Sequence, residues 1–167
     1  VLSGTSDTLG VELNAAKAVA LVASAGFEGL KITATGANDI TTLTVPGVNT
    51  ITIGGTGSVN VKDQLTGVST LNAAGMSGAL TSGTPSTTTG IVDQSITAAS
   101  TGATLLLGSG ADNIGFANTS AATAGSTIKA GAGNDIVQVN AAGNGAVIVF
   151  GEAGDDTIGS VTSVLAT

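Results

Sequence analysis

Short runs in which apolar and polar residues alternate follow one another along this chain, separated by clusters of Gly, Asn, Asp, Ser and Thr. Thr42-Leu43-Thr44-Val45, Thr50-Ile51-Thr52-Ile53, Ser58-Val59-Asn60-Val61 and Ser69-Thr70-Leu71-Asn72 are examples. A period of two is the strand signature. Leu43, Ile51 and Val59 recur every eight residues, and Leu71 and Leu80 follow at looser intervals. Short, evenly spaced strands suit a sandwich, a barrel or a solenoid, and the similarity between runs favours the solenoid. The segment from Val11 to Ala25 is ambiguous. Its Ala and Lys content suits a helix, whereas Val19-Ala20-Leu21-Val22 followed by Gly26 suits a strand and turn. Strand is preferred, because its surroundings are strand-like. Phe27 to Thr33 reads as a further strand. Thr81 to Gly90 reads as a loop or linker and sets a soft boundary. Residues 1–90 are then a Thr/Ala-rich solenoid or β-ladder region, and 91–167 a second region. The expected fold is all-β, a right-handed parallel β-helix.

Composition sharpens this picture. Among 167 residues aromatics make up 2%, and Trp, Tyr, His, Cys and Arg are missing. A compact core normally uses large aromatics, because each buries much area at once. An interior of small branched aliphatics is narrow, as in a solenoid whose coils pack only on their neighbours. Mean hydropathy is positive, yet the apolar stretch Ala18 to Phe27 falls far short of the roughly 20 residues a bilayer core requires. No basic region followed by an apolar run marks a signal peptide. The start at Val1, without an initiator methionine, suggests a fragment or a processed piece.

The formal charge is −7, with eleven acids set against Lys17, Lys31, Lys62 and Lys129. Such a chain is poorly suited to nucleic acid or to membrane insertion. A cation is the more natural partner. With no cysteine there is no disulfide to staple the fold, and a metal often serves that purpose in an exported protein.

One motif carries candidate chemistry. It occurs as Gly108-Ser109-Gly110-Ala111-Asp112-Asn113-Ile114, as Gly131-Ala132-Gly133-Asn134-Asp135-Ile136-Val137, and as Gly151-Glu152-Ala153-Gly154-Asp155-Asp156-Thr157-Ile158. Glycines permit tight turns that aim carbonyl oxygens at a common point. Asp112, Asp135 and Asp156 add carboxylate oxygen, and Ile114, Val137 and Ile158 are expected to point into the core. Calcium takes six to eight oxygen ligands in flexible geometry, and without His or Cys the set does not suit zinc or copper. The expected ligand positions are Gly108, Gly110, Asp112, Gly131, Gly133, Asp135, Gly151, Ala153, Gly154 and Asp156. The aspartates are 23 and 21 residues apart. In a roll whose coil takes about 18 residues, they would stack on one side with a few inserted residues per coil. The opposite turns, near Asn118 to Gly125 and Asn140 to Gly145, lack the Asp, so metal is expected along one edge only. Three turns leave two gaps, hence about two ions. The alternative is an ordinary Gly-Asn-Asp turn with Asp bonding its own backbone; three copies weigh against it. Asp39 and Asp7 are weaker metal candidates. Glu12, Glu28, Asp63 and Asp93 are expected to be solvated.

Each copy resembles the nonapeptide of RTX-type calcium-binding β-rolls, which implies that residues 91–167 form an RTX-like calcium-binding β-roll. Gly4 to Leu9, Phe27 to Gly36 and Val68 to Thr81 are similar to repeats of RTX-type S-layer proteins of Gram-negative bacteria. The resemblance covers nearly the whole chain. It implies type I secretion, a surface location and calcium-dependent assembly. Leu107 and Ala130 at the first position of the first two copies, and Glu152 at the second position of the third, depart from the motif, which implies weaker binding there. The expected function is thus a secreted structural protein of a surface layer or extracellular matrix, folding with calcium and assembling with itself, with a cell-surface polysaccharide as a further possible partner. The alternative is an adhesin module whose Thr42/Thr44 and Thr50/Thr52 runs bind ice or glycan. A polysaccharide-degrading module is disfavoured, since its chemistry needs positioned acids and bases and usually an aromatic or cationic platform.

Overall fold

The computed structural model describes residues 4, 6–82, 96–99, 101–118, 124–141 and 145–160. Sixteen strands are present among them: β1 (Thr8–Asn14), β2 (Val19–Val22), β3 (Gly29–Thr35), β4 (Ala37–Thr44), β5 (Thr50–Gly55), β6 (Ser58–Val61), β7 (Leu65–Val68), β8 (Thr70–Met76), β9 (Leu80–Ser82), β10 (Ile96–Ala98), β11 (Thr104–Leu106), β12 (Asn113–Asn118), β13 (Ser126–Lys129), β14 (Ile136–Ala141), β15 (Val147–Phe150) and β16 (Thr157–Ser160). The ambiguous segment after Val11 is strand, as expected, contributing to β1 and to β2.

All recorded strand pairs are parallel, and the chain winds as a β-solenoid of about six turns. Two sheets face each other. The first runs β1-β3-β5-β8-β11-β13-β15, and the second runs β2-β4-β6-β9-β12-β14-β16, with β10 added beside β12 and β7 beside β10. The seven strands of the first sheet define seven levels. One level takes 21 residues where Thr8 lies beside Gly29, 20 where Thr50 lies beside Thr70 and 23 where Thr104 lies beside Thr127. The step from level four to level five is longer, 34 residues from Thr70 to Thr104. Most of the expected loop from Thr81 to Gly90 lies outside the described residues; Thr81 and Ser82 themselves belong to β9.

The eight-residue recurrence now has a cause. Leu43 is in β4, Ile51 in β5 and Val59 in β6, so eight residues carry the chain from one sheet to the other. Alternate residues then point inward. Leu30, Ile32, Ile51, Ile53, Leu71, Leu105 and Ile128 fill the interior from the first sheet; Ile40, Val59, Val61, Leu80, Ile114 and Val137 meet them from the second. Burying each such side chain contributes about 1.5–3 kcal/mol. Phe116 is the one aromatic ring in this core. At the last level the core thins out, with Val147 and Val149 only half-buried.

Candidate metal centre

The three aspartates each stand one residue ahead of a strand of the second sheet, Asp112 before β12, Asp135 before β14 and Asp156 before β16. The register Asn113–Ile136 and Ile136–Thr157 therefore stacks them in one column along a corner of the solenoid. The inferred spacing of one coil per aspartate holds. Neighbouring strands lie about 4.8 Å apart, so three carboxylates form a line.

Side chains and backbone tie this column level to level. Asp112 Oδ1 accepts the Leu80 N–H at 2.6 Å and Oδ2 the Gly108 N–H at 3.2 Å. Asp135 Oδ1 accepts the Asp112 N–H at 2.7 Å, and Asp156 Oδ1 accepts the Asp135 N–H at 3.1 Å. The backbone continues the ladder, with Ile136 N–H on Asp112 O and Thr157 N–H on Asp135 O, both at 2.8 Å. Asp112 and Asp135 are each 1% exposed. Asp135 Oδ2 is buried without any partner.

Electrostatics follow from this geometry. Burial pushes the Asp112 carboxyl up from 3.8 to about 6; the N–H donors of Leu80 and Gly108 pull the other way, and the charge of Asp135 adds to the rise. Asp135 is also raised, first by burial and then by the charge of Asp156, against the pull of the Asp112 N–H. Lys129, the one lysine in this half of the chain, lies 3.9 Å from Glu152 instead. The column is thus a line of acceptors, buried at Asp112 and Asp135 and half-buried at Asp156, whose partners are backbone N–H groups.

Glycine lets the levels close up at this corner. A Cβ on Gly133, whose φ is +125°, would collide with Gly110 O, and one on Gly154, at φ +135°, with Gly133 O. The register bears out the alignment of the third motif, in which Glu152 takes the second position. Ala132 lies beside Ala153, so Glu152, not Gly151, occupies the position of Gly131, and Glu152 adopts φ +70° there. Gly151 takes the first position, aligned with Ala130, where a Cβ would meet the Asp156 carboxylate. Of the three apolar residues that follow the aspartates, Ile114 and Val137 are core, each 1% exposed, while Ile158 is 51% exposed, β16 being the last strand of the second sheet among the described residues.

The sequence reading missed that the corner continues toward the N-terminus. Gly36, Gly57 and Gly78 precede Asn38, Val59 and Leu80 by the same two residues that separate Gly110 from Asp112, and the register aligns all of them. The signal was available: the same Gly-x-residue triplet at steps of 21 from Gly36 to Gly57 to Gly78. Asn38, rather than Asp39, is the member of the column. Asp39 points outward to Lys17 Nζ at 3.5 Å and Lys62 Nζ at 3.9 Å. Asp7 lies ahead of β1 and so belongs to the first sheet, away from the column; its Oδ2 is buried and unpartnered. Asp63 and Glu28 are not merely solvated. Asp63 Oδ2 accepts the Leu43 N–H at 2.7 Å, and Glu28 Oε2 accepts the Asp7 N–H at 2.8 Å. Asp93 lies outside the described residues.

At the opposite corner of the C-terminal half the polar groups are neutral and paired. Ser126 Oγ donates to Asn118 Oδ1 at 2.9 Å and accepts the Ala103 N–H at 3.0 Å, while Asn118 Nδ2 donates to Gly145 O at 2.7 Å. The Thr-x-Thr runs separate onto different faces, Thr42/Thr44 on β4 and Thr50/Thr52 on β5. One threonine column does form on the first sheet, through Thr50, Thr70, Thr104 and Thr127. Its neighbour is mixed: Thr52, Asn72, Leu106, Lys129.

Among the described residues, no three His, Cys, Asp or Glu side chains gather around one point. The donor set that fits a cation here is consecutive carboxylates with backbone carbonyls. Comparison with family models, with curated proteins and with solved structures finds no match.

Proposed function

We propose that this chain is a non-catalytic, structural β-solenoid of a secreted bacterial surface layer or extracellular matrix, whose C-terminal levels are fastened by calcium along the Asp112–Asp135–Asp156 column. The observation that carries this reading is Asp135: a carboxylate 1% exposed, with Oδ2 unpartnered. An unsatisfied buried oxygen costs about 1–3 kcal/mol, and more when charged. A hard cation between levels would remove that cost. Asp135 and Asp156 would hold it, with turn carbonyls completing an all-oxygen shell that suits calcium. Asp112 already has both oxygens paired with N–H groups, so the gap between Asp135 and Asp156 is favoured over the one above it. Self-association is supported by β15, which is apolar on both faces: Val147 and Val149 face the core, while Ile148 and Phe150 are 53% and 48% exposed. A cell-surface polysaccharide is a further partner of the proposed assembly.

Calorimetric titration of the chelated protein with calcium, followed by electron microscopy, tests the proposal. Uptake of calcium with a gain in melting temperature, and ordered sheets or fibres in calcium, are expected. A protein that takes up no calcium and stays monomeric and folded after chelation would overturn it.

A further inference from the structure

Asn38 and Asp135 occupy the same column, four register steps apart, yet they meet their surroundings differently. Asn38 Oδ1 accepts the Ala16 N–H at 2.9 Å, just as Asp135 Oδ1 accepts the Asp112 N–H. The second arm of the Asn38 side chain is a donor. Its Nδ2 lies 3.1 Å from Thr35 O, 3.1 Å from Gly36 O and 3.2 Å from Ser58 O. Three carbonyl oxygens therefore converge on one N–H2 group in a residue 1% exposed. Counting along the register, the equivalent carbonyls at Asp135 belong to Ala132, Gly133 and Asp155. There the arm that replaces Nδ2 is Oδ2, a carboxyl oxygen without a partner.

We infer that the Asn38 amide is a built-in substitute for a cation: it fills a cage of backbone carbonyls that, at Asp135, needs a metal ion. The N-terminal levels then close without metal and offer a finished edge on which the C-terminal levels are laid down when the ion arrives. Asn38 acts as a positioning residue, and its cage is a latent cation site that one atom keeps switched off. The identity of the ion rests on the calcium reading above; the donor–acceptor logic of the cage does not.

The experiment uses the whole chain and three variants, Asn38→Asp, Asn38→Leu and Asp135→Asn, each melted and titrated in chelator and in saturating calcium. Asn38→Asp is expected to melt below the wild type in chelator, to bind one more calcium ion, and to regain its stability in calcium. Exchange of the Ala16 amide in this variant should slow about tenfold or more when calcium is added. Asn38→Leu, which can neither donate nor ligate, should lose the same protection without recovering it. Asp135→Asn should melt above the wild type in chelator and bind less calcium. The inference is overturned if Asn38→Asp gains no calcium-dependent protection at Ala16, whether it folds or not, or if Asp135→Asn is less stable than the wild type in chelator. Failure of the calcium reading looks different: the wild type takes up no calcium, while Asp135→Asn still gains stability in chelator.

Discussion

The N-terminal and C-terminal halves of the solenoid use one corner in two ways. In both, a glycine two residues ahead of the column lets successive levels approach, and in both the backbone bonds level to level. The column residues themselves differ. Ala16, Asn38, Val59 and Leu80 leave the N-terminal corner neutral, with Asn38 hydrogen-bonded through both arms and Val59 and Leu80 in the core. Asp112, Asp135 and Asp156 leave the C-terminal corner as a line of acids, the first two buried and the third half-buried. Backbone geometry is therefore not what separates the halves; the charge at one side-chain position per level is. A neutral corner can close by itself, whereas a charged one depends on what solution provides, whether protons or cations.

The largest effect should be the one the halves share. Gly57→Val and Gly133→Val both drive a side chain into the carbonyl of the level beside it, Gly36 O and Gly110 O respectively. Each should cost about 3–5 kcal/mol, the range of severe overpacking and backbone strain. Chemical denaturation should show both losses with and without calcium. A loss confined to Gly133→Val would mean that the two corners do not share a scaffold.

The next effects should appear in one half only. The folded Asp112 carboxyl titrates near 6 against 3.8 for the free group. Its folded value is raised, so the native state holds the proton more tightly than the unfolded chain does. Metal-free stability should therefore fall as pH rises from about 4 to about 6, and level off above, by up to about 3 kcal/mol. Asp135 is raised as well and adds to this in the same direction. Melting of chelated protein across that range checks the sign; a protein that gains stability as pH rises contradicts it. Calcium opposes the same cost by a different route. At a hundredfold excess over its dissociation constant, each ion adds about 2.7 kcal/mol. Hydrogen exchange should localise the gain to the amides of Asp112, Asp135, Ile136 and Thr157, leaving the amides of β3 and β5 unchanged. Uniform protection along the chain would place the ion elsewhere.

The alternation of side chains made the strands legible, and equal spacing made the aspartate column legible, because both are periodic in sequence. What stayed hidden depends on register. A one-residue shift moves a side chain to the other face of a sheet, and that is the difference between Asp39, which meets two lysines outside, and Asn38, which is buried in the column. The Thr-x-Thr runs look like one ladder in sequence because nothing in them records that eight residues change the sheet. Ile158 has the pattern of a core residue and is half-exposed because burial needs a neighbouring level, which local pattern does not encode.

The smallest effect concerns two residues that stand in left-handed backbone without being glycine. Glu152 has φ +70° where Gly131, one level away, has φ +94°; at the N-terminal corner Ala15 has φ +48° beside Gly36. Left-handed backbone disfavours a Cβ by about 1–2 kcal/mol, and part of the relief gained with glycine is offset by the freer unfolded chain. Glu152→Gly and Ala15→Gly should each stabilise the protein by about 0.5–1 kcal/mol. Glu152→Gly also gives up the ion pair with Lys129, but at 3.9 Å between side chains 43% and 49% exposed that pair is a surface contact, worth about 0–1 kcal/mol. The two variants sharpen the comparison between corners. If Glu152 is only a turn residue, its gain should match that of Ala15→Gly and be the same in chelator and in calcium. If its carboxylate reaches the ion, the gain in chelator turns into a loss in calcium, while Ala15→Gly is unaffected. Its contact with Lys129 favours the first outcome, and paired denaturation curves in the two conditions decide it.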